Sequence, residues 1–179
     1  MSNCPRLTPL WPAILISCPA LQHLRIHGIN ISQTNMEHLS RGLVALYGQL
    51  RELSLRRCSI DDAAAAMLAE CMQEAPSCNM QVLTLSENSI TALGIVHILR
   101  AATTIVKLNV SANPLKSEGA AHLGRYLGTS KIKVLSVDQA EIGNSGLECI
   151  AKALRSNMYL EELSLAENAI DFRVSVMTI

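Results

Sequence analysis

The apolar residues of this chain change their spacing in a cycle of about 28 residues. The clearest instance is Leu50-Arg51-Glu52-Leu53-Ser54-Leu55-Arg56-Arg57-Cys58-Ser59-Ile60. Apolar residues stand at offsets 1, 4, 6 and 11, with a small polar residue at offset 9. Offsets 4 and 6 alternate like a short strand, and the residue at offset 9 turns the chain out of it. The same spacing starts again at Leu21, Met80, Ile105, Ile132 and Leu160, so successive starts lie 29, 30, 25, 27 and 28 residues apart. Offset 9 is Asn88, Asn113 and Asn168 in three repeats, with Ile29, Cys58 and Ala140 in the others.

A second pattern runs in phase with the first. Four, eight and twelve residues after offset 11 come a small or short side chain and two apolar ones: Ala64, Leu68, Met72; Gly94, Ile98, Ala102; Gly119, Leu123, Leu127; Gly146, Ile150, Leu154; and, in the first repeat, Asn35, Leu39, Leu43. A spacing of four keeps each trio on one stripe of a helix. The small residue lets the first turn approach the neighbouring repeat. Helices are therefore predicted between the strands, at 32–48 and 91–102 among others, with Asp61, Thr91 and Ser117 placed to cap them.

The motif LxxLxLxx(N/C)x(L/I) resembles the signature of leucine-rich repeats. Repeats of this length that carry a full helix resemble the ribonuclease-inhibitor-like subfamily. The resemblance covers 21–171 and implies an α/β solenoid of about six repeats, with a parallel sheet on the concave side and helices on the convex side. Six repeats exceed the rough minimum of three that such a solenoid needs for stability. Residues 1–20 read either as a capping segment, with a short helix over 10–18, or as part of a repeat. Residues 172–179 are rich in β-branched side chains and read as a tail or a truncated repeat. An uncovered last repeat would expose Leu160, Leu163 and Leu165, which leaves self-association through that edge open.

Composition narrows the function classes. Aromatic residues make up 3% of the chain against 49% apolar, so the core is built from aliphatic side chains of similar size. A formal net charge of zero gives no general attraction to nucleic acid or to a membrane surface. The apolar patch near the start is broken by Pro12 and lacks a basic leader, so no signal peptide is expected. Six cysteines show no CxxC pair and no Cys/His metal spacing, which suits reduced thiols in the cytoplasm. Cys58 takes the place of the turn asparagine, with its thiol as a weak donor. The sequons at Asn30 and Asn109 fall in a turn and a strand, and we read them as chance.

In a repeat of this type the residues at offsets 2, 3, 5, 7 and 8 face the concave side or its rim. His23, Arg25, His27, Arg51, Arg56 and Arg57 crowd one end, and Asp138, Glu161, Glu162 and Glu167 hold the other. This predicts a protein-binding groove whose N-terminal half prefers acidic groups and whose C-terminal half prefers basic ones. His23 and His27, about 13 Å apart along a strand, stand too far apart to share a metal. No phosphate loop, nucleophile elbow or catalytic carboxylate pair appears, so neither catalysis nor a cofactor is expected.

The leading expectation is a non-catalytic interaction module or scaffold for a protein partner. The segment Leu21-Gln22-His23-Leu24-Arg25-Ile26-His27-Gly28 resembles the N-terminal repeats of centrosomal and ciliary-base leucine-rich proteins, which would imply a cytoskeletal setting. The alternatives are a GTPase-activating regulator of the Ran-regulator type and a repeat fragment of an innate-immune sensor.

Overall fold

The computed structural model describes residues 11–171 apart from 32, 47 and 75–77. The segments expected to cap or end the chain at 1–10 and 172–179 lie outside that range. Strands and helices alternate throughout: α1 (Trp11–Ile16), β1 (His23–His27), α2 (Gln33–Val44), β2 (Glu52–Arg56), α3 (Asp62–Glu74), β3 (Val82–Thr84), α4 (Ala92–Ala101), β4 (Lys107–Asn109), α5 (Lys116–Leu127), β5 (Val134–Ser136), α6 (Gly143–Leu154) and β6 (Glu162–Ser164). The six strands form one parallel sheet in sequence order. Its register aligns Leu24, Leu53, Leu83, Leu108, Leu135 and Leu163, the residues at offset 4. The sheet and its helices are the predicted solenoid.

Strands β2 to β5 bury offsets 4 and 6 and the helices bury most of their stripes, so the core is one aliphatic column, with Leu24 of β1 half-buried at its edge. Leu53, Leu55, Ile60 and Leu68 in repeat two are fully buried, as are Leu83, Leu85, Ile90 and Ile98 in repeat three. The column loosens at repeat six, where Leu160, Leu163 and Leu165 are only partly buried. At the other end α1 lies on α2, with Leu15 buried against Gly42.

A turn with left-handed backbone ends every strand. The residue at offset 8 has positive φ in all six repeats: Gly28, Arg57, Glu87, Ala112, Gln139 and Glu167. This conformation aims its N–H at the next repeat. Gly28, Arg57, Glu87, Ala112 and Gln139 each donate to the carbonyl at offset 7 of the following repeat, over 2.7–3.0 Å. Five of the six residues are not glycine. The cross-repeat bond offsets a backbone cost of about 1 kcal/mol in each.

The turn asparagines do the same with side chains. Asn88 Oδ1 accepts from the backbone N–H of Cys58 and of Ile60 in the preceding repeat, while its amide donates to the Leu55, Leu85 and Ser86 carbonyls. Asn113 and Asn168, both buried, repeat the pattern one and three repeats later. Cys58 supplies only a donor: its thiol bonds the Ile26 and Arg56 carbonyls. Ala140 supplies nothing, and the Leu115 N–H turns back to the Asn113 carbonyl instead.

The helix starts are stitched across repeats as well. Asp61 caps its own helix through the Ala64 N–H at 2.8 Å, as expected. Asp62 reaches into the next repeat, where Oδ1 accepts from the N–H of Thr91 and of Gly94 and Oδ2 accepts from the Thr91 hydroxyl. A side chain at position 94 would bring its Cβ to 3.0 Å from the Asp62 Cα, which is why the small slot is kept there. Ser117 departs from expectation. It lies inside α5 and donates to the Ile142 carbonyl of the next repeat, while α5 itself has no side-chain cap.

Two stability outcomes follow from these turns. Asn113→Ala leaves the buried Ile90 N–H without its acceptor and should lower unfolding free energy by about 2–3 kcal/mol in urea titration. Gly28→Ala meets no atom within 4 Å, so its cost is conformational alone, about 1 kcal/mol at φ +70°.

Candidate functional site

The concave face is set by strand alternation. With offsets 4 and 6 buried, offsets 3, 5 and 7 must point the other way. In β1 that exposes His23, Arg25 and His27 around the buried Ile26. The register carries the rows across the sheet: His23, Glu52, Val82, Lys107, Val134 and Glu162 at offset 3, and Arg25, Ser54, Thr84, Asn109, Ser136 and Ser164 at offset 5.

Many of the charges named from sequence are spent on one another. Glu52 receives both Arg25 nitrogens, Nε to Oε1 at 2.6 Å and Nη2 to Oε2 at 3.0 Å, and His23 Nδ1 lies 3.1 Å from the same Oε2. The Arg25 guanidinium holds the Glu52 carboxyl below its ordinary value of 4.5, with burial working against this and His23 reinforcing it. Glu52 in turn raises Arg25. His27 shares a 2.9 Å hydrogen bond with Ser54. Arg56 is clamped by Glu87. At the other end Lys133 pairs with Glu161 at 2.5 Å, and Gln139 donates to Glu167 at 2.7 Å.

Asp138 is bound most heavily. Its Oδ1 accepts from the Ser164 hydroxyl at 2.5 Å and the Ala166 N–H at 2.7 Å, and its own N–H donates to Ser111 Oγ at 3.1 Å. It ties repeats four, five and six together. Of the sequence-predicted residues, Arg51, Arg57 and Glu162 remain without a side-chain hydrogen bond or ion pair among the described residues, and Lys107 joins them. The structure thus converts a face with two charged ends into a face with four free charges. Sequence reading missed the pairing because Glu52 and Glu87 belong to the repeat after the arginines they bind.

A convex feature was not singled out from sequence. A cleft of about 190 Å³ between α2 and α3 is lined by Glu37, Arg41, Val44, Met67, Glu70 and Glu74. Arg41 is paired with Glu37 along α2. Glu70 and Glu74 stand four apart near the end of α3, which has no basic residue in its last turn. That spacing was the available signal.

Among the described residues no three His, Cys, Asp or Glu side chains converge as metal ligands, and no helix is long and apolar enough to cross a membrane. Burial pushes the Cys58 thiol above its usual pKa, with backbone hydrogen bonds from Ile29 and Gly28 opposing.

No protein-family model matches the chain. It is 28% identical to the ribonuclease inhibitor of Mus musculus and 29% identical to that of Sus scrofa, over 92% of this chain and 37% of each relative. It is 30% identical to human NACHT, LRR and PYD domains-containing protein 14, over 68% of this chain and 11% of that protein. The tropomodulin C-terminal domain of Caenorhabditis elegans has a similar fold, with a TM-score of 0.63 over 82% of this chain and 92% of that one at 17% identity. The six-strand parallel sheet and its helices form a leucine-rich-repeat fold, and the chain is similar to ribonuclease-inhibitor-like members of that class. It spans little more than a third of the ribonuclease inhibitors it matches.

The Glu52 cluster carries a pH outcome. Its folded pKa is depressed, so its contribution to stability is present above the ordinary carboxylate value and lost as pH falls through the lowered one. Glu52→Gln should therefore flatten the acid limb of a urea-midpoint profile between pH 5 and 3, relative to wild type, and leave the slope above pH 6 unchanged.

Proposed function

We propose that this chain is a non-catalytic protein-interaction module that receives a protein partner on its concave face. One observation carries the reading: six aligned strands present a continuous, largely polar face backed by a continuous aliphatic core. Such a face offers extended recognition with little backbone rearrangement. The similarity to ribonuclease inhibitors, whose name denotes action on another protein, supports the same kind of role.

The cytoplasm is the proposed setting. Cys58 and Cys71 use their thiols as hydrogen-bond donors to backbone carbonyls, a role that requires them reduced. A scaffold at the cytoskeleton, the centrosome or the ciliary base is the narrower reading, and it rests on the segment 21–28. A second reading is favoured by the NACHT-type relatives: the chain is then a section of the repeat array in a larger receptor. Sequencing the full transcript decides that one, through the presence or absence of an encoded nucleotide-binding domain.

The face itself is tested by obstruction. Thr84→Trp with Ser136→Trp fills the middle of the concave surface, while Leu93→Asp alters the convex side, where Leu93 is 69% exposed. After circular dichroism has verified folding, the double tryptophan variant should lose the proteins that wild type captures from lysate, and Leu93→Asp should retain them. The opposite pattern would move the interaction to the helices.

A further inference from the structure

Three of the four free charges of the concave face, Arg51, Lys107 and Glu162, stand in an order, and Arg57 lies apart at the turn after β2. Register sets Glu52 opposite Val82, Val82 opposite Lys107, Lys107 opposite Val134, and Val134 opposite Glu162. Arg51 stands one position before Glu52, whose charge Arg25 neutralises, so Arg51, Lys107 and Glu162 are the free charges carried by alternate rungs of the sheet. Two rungs span about 10 Å. Between these charges lie Val82 and Val134, each half-buried and uncharged. The surface therefore reads cation, apolar, cation, apolar, anion across repeats two to six.

A polyproline II segment matches that ruler. It has three residues per turn and a rise of about 3.1 Å, so every third side chain points the same way about 9 Å further on. The intervening prolines turn away from the row and hold the segment extended, so it reaches the site with little ordering cost. We propose that the occupant of the concave face is a proline-containing protein segment in the polyproline II conformation, carrying carboxylates at positions i and i+3 and a basic side chain at i+6. Its carboxylates meet Arg51 and Lys107, and its cation meets Glu162. The proposal rests on the interaction-module reading above and specifies the partner's chemistry.

Internal pairing sharpens this pattern. Arg25, Arg56 and Lys133 each sit on a carboxylate of the next repeat, so they add little net charge along the face. A longer polyanion is disfavoured, because continuing past Lys107 brings it to Glu162 and Glu161. Like charges so placed cost affinity for the wrong ligand.

The test uses two labelled peptides of equal composition, Glu-Pro-Pro-Glu-Pro-Pro-Lys and Glu-Pro-Pro-Lys-Pro-Pro-Glu, titrated by NMR into the full chain at low salt. Wild type should bind the first about fivefold more tightly, with amide shifts centred on β2 to β6. Lys107→Glu, folded by circular dichroism, should abolish the preference, since each peptide then meets two opposite charges and one like charge. Equal affinity of wild type for both peptides, no binding of either, or an unchanged preference in Lys107→Glu overturns the proposal. So does tighter binding of a single-stranded oligonucleotide, which would assign the cations to phosphate. If the double tryptophan variant loses its partners while the peptides fail to discriminate, the module reading stands and the ordered-charge reading falls alone.

Discussion

The turns of repeats one to five end with backbone N–H groups that their own repeat leaves unpaired. The fold depends on the next repeat to satisfy them. A buried donor left without an acceptor costs about 1–3 kcal/mol, so one such lapse per repeat would undo a solenoid of this size. The left-handed residue at offset 8, the asparagine at offset 9 and the aspartate at position 62 are three answers to that demand. Each sends a donor or acceptor across the repeat boundary. The aliphatic column supplies driving force, and these polar links supply register.

The same logic organises the exposed face. Carboxylates at Glu52, Glu87 and Glu161 each receive a cation from the preceding repeat. Exposed ion pairs contribute modestly one at a time. Their larger effect here is subtraction: they remove most of the face's charge from recognition and leave a sparse, ordered remainder. Arg51, Lys107 and Glu162 are informative because so much around them is neutralised.

Much of the fold was legible because the repeat writes the same physical requirement six times. The offsets that alternate in β2 alternate again in β3 to β6, and the leucines assigned to offset 4 stand side by side in the sheet. Helix boundaries shifted by a few residues, as frayed ends do. Ser117 misled because a serine near a helix start reads as a cap from sequence, whereas α5 begins one residue earlier and turns that hydroxyl to the next repeat. The candidate face was legible as a set of positions but not as a set of free groups. Pairings such as Arg25 with Glu52 join residues 27 apart, and no local pattern announces them.

Repeat five is where these two economies meet. With Ala140 in the turn, the usual side-chain link to repeat four is missing, and Asp138, two residues earlier, binds Ser111 behind it and Ser164 and Ala166 ahead. The stitch has moved from the buried turn to the open surface. A ligand reaching for that carboxylate would compete with the bonds that hold three repeats in line, so at this rung tight recognition would come at the expense of stiffness.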